Sequence, residues 1–342
     1  MIDFRYHVVS LIAVFIALAI GIVLGAGPLR GQLSDTLEGQ VAELATERTA
    51  LRDQVQHNER RAEAKDGLID LLSTPSTEGL LEGIDVAVVQ LPGGDGKLAD
   101  ELISSLTDAG AERVTRVDVL PSWEDVDDGS EPAEVVASVA AELGTTATPA
   151  AVLAAVLGGT QSFRTDEQVG SAATRLELAD LISVQTGEDS TDAALPGASQ
   201  LSPHQAVVVL DGGLDGGPDE QDGEQASLLQ ERLDLVGALV ETPAAVCVFG
   251  GGTEAWQDPV ADSEPPLVAA VRADGDLVDE VSTVDNLESA TGRLATTWAV
   301  ARQVQGEAGH YGLAADSSGI APDPPPAPSN RSPGSLEDSE AP

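Results

Sequence analysis

Acid–base, nucleophilic or metal chemistry needs particular side chains grouped at fixed spacings, and this chain groups few of them. Its 4 histidines, His7, His57, His204 and His310, lie in four different segments, and no two have ligand spacing. Soft Cu(I) prefers thiolate and thioether donors. The chain offers Cys247, within an Ala-Val-Cys-Val-Phe run that reads as a buried strand, and Met1 at its very start. Carboxylates are plentiful enough to hold hard cations loosely, yet no dedicated metal site can be read from them. No G-x-S-x-G occurs, and no Ser, His and Asp form a recognisable nucleophile pattern. The expectation is a protein that is not an enzyme and carries no cofactor.

Three glycine-rich segments could let a ligand approach the backbone. Pro92-Gly-Gly-Asp-Gly-Lys97 sits between a predicted strand and helix, where a phosphate loop would lie, but it lacks the G-x-x-x-x-G-K-[ST] spacing. Leu98 stands where Mg²⁺ would need a hydroxyl, and Asp95 would repel a phosphate. The segments that begin at Asp211 and at Gly250 lack dinucleotide-type spacing with an acid about 20 residues on. All three read as turns or flexible loops.

The first element that must position these residues is apolar. From Tyr6 to Leu29 no residue carries a fixed charge, and about 20 such residues in a helix cross a hydrocarbon layer. The segment reads as an uncleaved membrane anchor, residues 1–29. A cleaved signal peptide fits less well, because only Arg5 is basic and Leu24 stands where a small residue should precede the cleavage site. A short amino tail holding Arg5 places the N-terminus in the cytoplasm and the bulk outside.

Residues 30–75 read as a coiled-coil stalk. Leu37, Val41, Leu44, Arg48, Leu51, Val55, Asn58, Ala62, Lys65, Ile69 and Leu72 follow the alternating spacing of four and three that keeps one stripe facing a partner helix. The expected assembly is a parallel homodimer. The competing reading is one amphipathic helix folded back on the rest of the chain. Ser73 to Gly79 should break this helix at its proline and glycine.

Residues 80–313 alternate strand and helix patterns. Ile84 to Leu91, Arg113 to Val119, Gln205 to Leu210 and Ala244 to Phe249 read as strands. Helices are expected over Lys97–Ala109, near Glu134–Leu143 and Thr165–Ile182, and around Leu228–Val240. A last helix is expected from Asn286 to Val304, capped by Asp285 with Glu288 completing a capping box. The fold class is α/β, a Rossmann-like domain with a mostly parallel sheet. Residues 314–342 form an acidic Pro/Ser-rich tail expected to be disordered, since 7 of the 20 prolines fall in the final 27 residues.

Composition limits the partners. There are 58 acidic against 17 basic residues, a net charge of −41, which repels nucleic acid and anionic lipid surfaces. Such a surface also suits a saline habitat, where salt screens the self-repulsion. One cysteine excludes an internal disulfide. Aromatics are 3%, so the core must be built from Ala, Val and Leu.

The start Met1-Ile-Asp-Phe-Arg-Tyr-His-Val-Val-Ser-Leu-Ile-Ala-Val-Phe, the segment Val281-Ser-Thr-Val-Asp-Asn286 and the segment Gly309-His-Tyr-Gly312 resemble the MctB-type copper transport proteins, an actinobacterial envelope family. The resemblance covers residues 1 to about 313. It implies a role in keeping intracellular copper low, a candidate channel in the mycobacterial outer membrane, and association with a membrane complex controlling cell-wall hydrolysis during cell separation. Copper and an envelope or cell-division partner enter through it alone. The motif residues Ser282, Thr283, Asp285, Asn286, His310 and Tyr311 become candidates for a partner or ligand surface, beside the plainer reading of a strand end feeding a capped helix. A channel needs a closed barrel or several spans, whereas this chain shows one helix and an α/β pattern.

Overall fold

The computed structural model describes residues 4–26, 28–124, 126, 129–159, 166–186, 203–212, 222–250 and 266–325. The chain divides into two compact units, residues 1–65 and 66–342. Helix α1, Phe4–Ala26, contains the apolar stretch Arg5–Val23, with a mean hydropathy of 2.5 and none of it buried. It is long and apolar enough to cross a membrane. Helix α2, Pro28–Thr77, runs for 50 residues, about 75 Å at 1.5 Å per residue.

The break expected over Ser73–Gly79 falls inside that segment, after its proline: α2 ends at Thr77 and includes Pro75. The proline falls in the last turn, where hydroxyls fold back onto the helix carbonyls. Ser73 Oγ donates to Ile69 O at 2.7 Å, and Thr77 Oγ1 donates to Ser73 O at 3.0 Å. The chain reverses at Gly79, whose φ of 77° suits glycine.

Among the described residues beyond α2, seven strands form one sheet in the order β3-β2-β1-β4-β5-β6-β7. They are β1 Asp85–Gln90, β2 Arg113–Val119, β3 Ile182–Thr186, β4 Ala206–Leu210, β5 Ala245–Phe249, β6 Ser282–Val284 and β7 His310–Tyr311. Only β3 pairs antiparallel, against β2. The helices are α3 Gly96–Asp108, α4 Glu131–Leu143, α5 Pro149–Leu157, α6 Asp166–Leu178, α7 Asp222–Val240, α8 Pro266–Ala273 and α9 Ala290–Gln303. The fold is therefore α/β with a mostly parallel sheet wound both ways from β1, as expected.

Several elements differ from the sequence reading, which has no counterpart of α8 or β7. The helix expected over Thr165–Ile182 ends at Leu178, and Asp180, at φ 60°, turns the chain so that Ile182 opens β3. Leu181, Ile182 and Val184 are buried there as strand residues. Helix α5 was not anticipated. Its run Pro-Ala-Ala-Val-Leu-Ala-Ala-Val-Leu is apolar all round, so no amphipathic period betrays it, and Val152–Leu157 are buried throughout. Thr148 caps it by accepting Ala151 N–H at 3.3 Å.

Strand side chains alternate between two cores. Ala87, Val89, Val207, Val209, Val246 and Val248 pack with α4 to α8 on one face. Val86, Val88, Val208, Leu210, Cys247 and Phe249 pack with α3 and α9 on the other. The cores are built from Val, Leu and Ala, as the scarcity of aromatics requires. Ordered packing also continues past residue 313. Tyr311 bridges to Gly319, and Ala321 packs against the second core, while residues 326–342 of the expected tail lie outside the described residues.

Candidate functional site

The motif at β6 and β7 closes on itself. Ser282, Thr283, Asp285 and Asn286 are all buried. Arg272 of α8 reaches across this edge. Its Nε donates to Thr283 Oγ1 at 2.8 Å, its Nη1 to Asp285 Oδ2 at 3.0 Å and to Asp316 Oδ1 at 2.9 Å, and its Nη2 to Tyr311 O at 2.9 Å. Thr283 Oγ1 also lies 2.9 Å from His310 Nδ1, and His310 Nε2 lies 2.9 Å from Val278 O. One arrangement satisfies all of these atoms. Arg272 donates to the Thr283 hydroxyl, the hydroxyl donates to Nδ1, and Nε2–H donates to Val278. Burial pushes the His310 pKa down, which favours this neutral ring.

Asp285 carries the centre of the cluster. Besides Arg272, its carboxylate accepts Leu313 N–H at 2.6 Å and Ala314 N–H at 3.2 Å. The chain passes so near that a Cβ at Gly312, with φ 133°, would overlap this carboxylate. That explains the glycine closing Gly309-His-Tyr-Gly312. The expected capping by Asp285 and Glu288 is corrected: α9 begins at Ala290, and Ser289 caps it by accepting Gly292 N–H at 2.9 Å. Asp285 cannot serve as cap because its oxygens are committed to Arg272 and the loop amides. Asn286 instead steadies the cap, donating from Nδ2 to Ser289 Oγ at 3.1 Å. A Cβ at Gly292 would overlap Asn286 O.

Ser282 and Tyr311 complete the picture. Ser282 Oγ donates to Gln303 Oε1 at 2.5 Å and accepts Gly309 N–H at 3.2 Å, tying β6 to α9 and to β7. Tyr311 is half-buried against the second core. All six motif residues thus meet at one sheet edge.

Doubly wound sheets bind ligands at the carboxyl ends of their strands, where the winding reverses; here that point lies between β1 and β4. It is occupied by a buried cluster that sequence reasoning missed. Arg232 of α7 donates to Glu124 Oε1 at 2.8 Å and to Pro92 O at 3.2 Å, and lies 3.5 Å from Asp211 Oδ1. Asp211 Oδ2 accepts Leu267 N–H at 2.8 Å. A Cβ at Gly212 would overlap Pro92 O, so the two loops touch. Asp95 Oδ1 accepts Lys97 N–H at 2.9 Å, putting a carboxylate at the amino end of α3 where a bound phosphate would sit. The segment from Pro92 is thus a turn. Residues 213–217 and 251–253 of the other glycine segments lie outside the described residues.

A cavity of about 690 Å³ lies at the opposite, amino-terminal ends of β4 and β5. Pro203, His204, Thr242, Glu280 and Gln303 are among its lining residues. His204 is 3% exposed, with Nδ1 3.2 Å from Leu157 O. Burial pushes its pKa down to about 4. Cys247 is wholly buried in the second core, and burial pushes its thiol pKa up, so the sulfur stays protonated and apolar. Among the described residues no three His, Cys, Asp or Glu side chains gather as a metal would require.

The residues of the expected seam show the reverse condition. Val41, Leu44, Leu51, Val55 and Leu72 are exposed and Ile69 is half-buried. Leu37 shares α2, with its side chain outside the described part.

Fold and site together define a class: a single-span, membrane-associated α/β protein whose family motif is an internal polar clasp. The chain belongs to the family described as "Copper transport outer membrane protein, MctB", whose pattern matches residues 1–322. It is 25% identical to the "Copper transporter MctB" of Mycobacterium tuberculosis strain H37Rv over 329 residues, 91% of this chain and 96% of that protein. The Mycobacterium bovis protein of the same name matches equally. The Mycobacterium leprae protein is 24% identical over 326 residues, 94% of this chain and 99% of its own.

Proposed function

We propose that this chain serves copper homeostasis in the cell envelope without catalysing a reaction, acting through protein partners from a single-span anchor. Its N-terminus lies in the cytoplasm and its α/β domain outside. One observation supports this most: the described hydrogen bonds of the motif residues run to neighbours in the same domain, such as Arg272, Gln303 and Ser289, whereas α2 leaves an apolar stripe exposed. A chain built this way offers surfaces rather than a reaction centre. The copper relation comes from the family and its named relatives.

The second reading is a structural partner in a complex that controls cell-wall hydrolysis during cell separation. The same exposed helix favours it, because a stripe of that kind fits another protein. The described strands form an open sheet with β3 and β7 at its edges, so passage of copper through this chain alone is no part of the proposal.

The test is a deletion strain scored for copper tolerance and for chains of unseparated cells, complemented with the wild-type gene or with Cys247→Ala. Copper sensitivity restored by both genes is the expected result. Restoration by the wild type alone would make direct coordination by sulfur the mechanism. Chaining with normal copper tolerance would transfer the role to the second reading.

A further inference from the structure

Helix α2 from Gln40 to Ala64 is exposed at every residue, and its apolar side chains are not scattered. Val41, Leu44, Leu51 and Val55 are 65, 63, 55 and 54% exposed and fall at the first and fourth positions of successive heptads. A shallow groove runs along the same face, lined by Leu44, Arg48, Leu51, Arg52 and Val55. A lone helix gains nothing from such a stripe, whereas a second helix with the same stripe buries both.

The flanking charges distinguish the possible partners. In a parallel pair of identical helices in register, the seventh position of one heptad lies near the fifth position of the partner's next heptad, five residues on. Glu47 then meets Arg52 of the second copy, and Arg61 meets Asp66. Gln54 meets Glu59 and Gln40 meets Ala45, so none of these flanking pairs opposes like charges, whereas Arg48 and Lys65 each face their own copy across the seam. The cations within the seam are answered as well: Arg48 packs beside the other copy's Glu47, and Lys65 beside its Asp66. The anchor adds a second constraint. Helix α2 starts two residues after α1 ends, so two copies in one membrane begin their helices at the same height and point the same way.

We propose that α2 pairs with α2 of a second copy as a parallel two-stranded coiled coil, with Glu47–Arg52 and Arg61–Asp66 pairs between the copies setting its register. This deepens the reading of an anchored chain that works through its surfaces, and it commits the stripe to a second copy of the chain. Exposed ion pairs contribute little to stability, so their part here is to select register and orientation.

The experiment uses the full chain in its membrane, where Cys247 is buried and does not cross-link. Single variants Leu44→Cys, Leu51→Cys and Asp53→Cys are oxidised and run without reductant. Cross-linked dimer is expected for the two seam positions and little for Asp53, which faces outward in this register. Equal cross-linking at all three positions, or none at any, would overturn the pairing. In the Leu51→Cys background, Glu47→Arg and Arg52→Glu should each lower cross-linking severalfold, and the two together should restore it. Failure of the double variant to restore it would overturn the register. A dimer in a protein whose deletion changes neither copper tolerance nor cell separation would remove the functional reading and leave the pairing standing. A monomer whose deletion does change them would do the opposite.

Discussion

The sheet edge at β6 and β7 and the exposed length of α2 handle side chains in opposite ways. At the edge, Thr283, Asp285, His310 and Arg272 are joined in one network, and backbone amides from Leu313 and Ala314 meet the remaining carboxylate lone pairs. From Gln40 to Ala64 of α2 the described side-chain bonds turn back onto the same helix, as with Thr46 onto Ala42 O and Arg60 onto Gln56 O. Polarity alone therefore does not show which surface is left open. The polar motif with the look of a site is closed, and the apolar seam with the look of core is open.

The sharpest way to break that contrast is to cut the clasp. Asp285→Ala removes the buried carboxylate that pairs with the buried Arg272 guanidinium, and stranding one partner of a buried pair costs about 3–5 kcal/mol. The urea midpoint of the full-length protein in detergent should fall accordingly. An unchanged midpoint would mean that the cluster does not fasten the edge and is free for another role.

Acid offers a second way. His204 has a pKa of about 4 in place of 6.5, so below pH 6.5 the unfolded chain takes up a proton that the folded chain refuses. Stability is complete above 6.5 and falls as the pH drops towards 4, by about 3 kcal/mol. The carboxylates titrate in part of the same window, so the measured quantity is the difference between wild type and His204→Gln. Parallel pH profiles would show that the ring is not held neutral.

Legibility in the sequence followed length and pattern together. The anchor was legible as an apolar run of membrane length, Ala206–Leu210 as a short apolar run of strand length, and α3 by its one-sided Leu102 and Leu106. Helix α5 and strand β3 escaped because one is apolar on every face and the other is a five-residue edge behind a left-handed aspartate. At the candidate site, Ser282 to Asn286 stood out as a motif, but their partner did not. Arg272 lies 13 residues before Asp285 in a short helix, and only the crossing of α8 over the sheet brings the two together. Arg232 and Glu124, 108 residues apart, were invisible for the same reason.

A smaller effect tests how the clasp feeds α9. Ser289→Ala removes the cap that accepts Gly292 N–H and frees Asn286 Nδ2 from its partner. Loss of an N-cap costs about 1 kcal/mol, so the urea midpoint should shift modestly, and Ser289→Asp should recover most of it. A cap of no consequence would leave all three proteins alike.

The smallest expected effect carries the comparison furthest. Leu102 and Leu51 are both leucines on helices, the first wholly buried and the second more than half exposed. Leu102→Ala should destabilise the α/β domain by about 2–5 kcal/mol through lost contacts and a cavity. Leu51→Ala should leave the domain within about 0.5 kcal/mol of wild type, because alanine keeps the helix and no domain contact is lost. Its effect should appear only in association, as a concentration-dependent loss of dimer. Domain unfolding followed by tryptophan fluorescence, beside sedimentation of the same samples, separates the two outcomes. A midpoint that drops for Leu51→Ala as it does for Leu102→Ala, in a protein already monomeric, would mean that the stripe is spent on the chain's own domain. The helix would then be closed like the sheet edge, and the open surface through which the chain is proposed to work would have to be sought elsewhere.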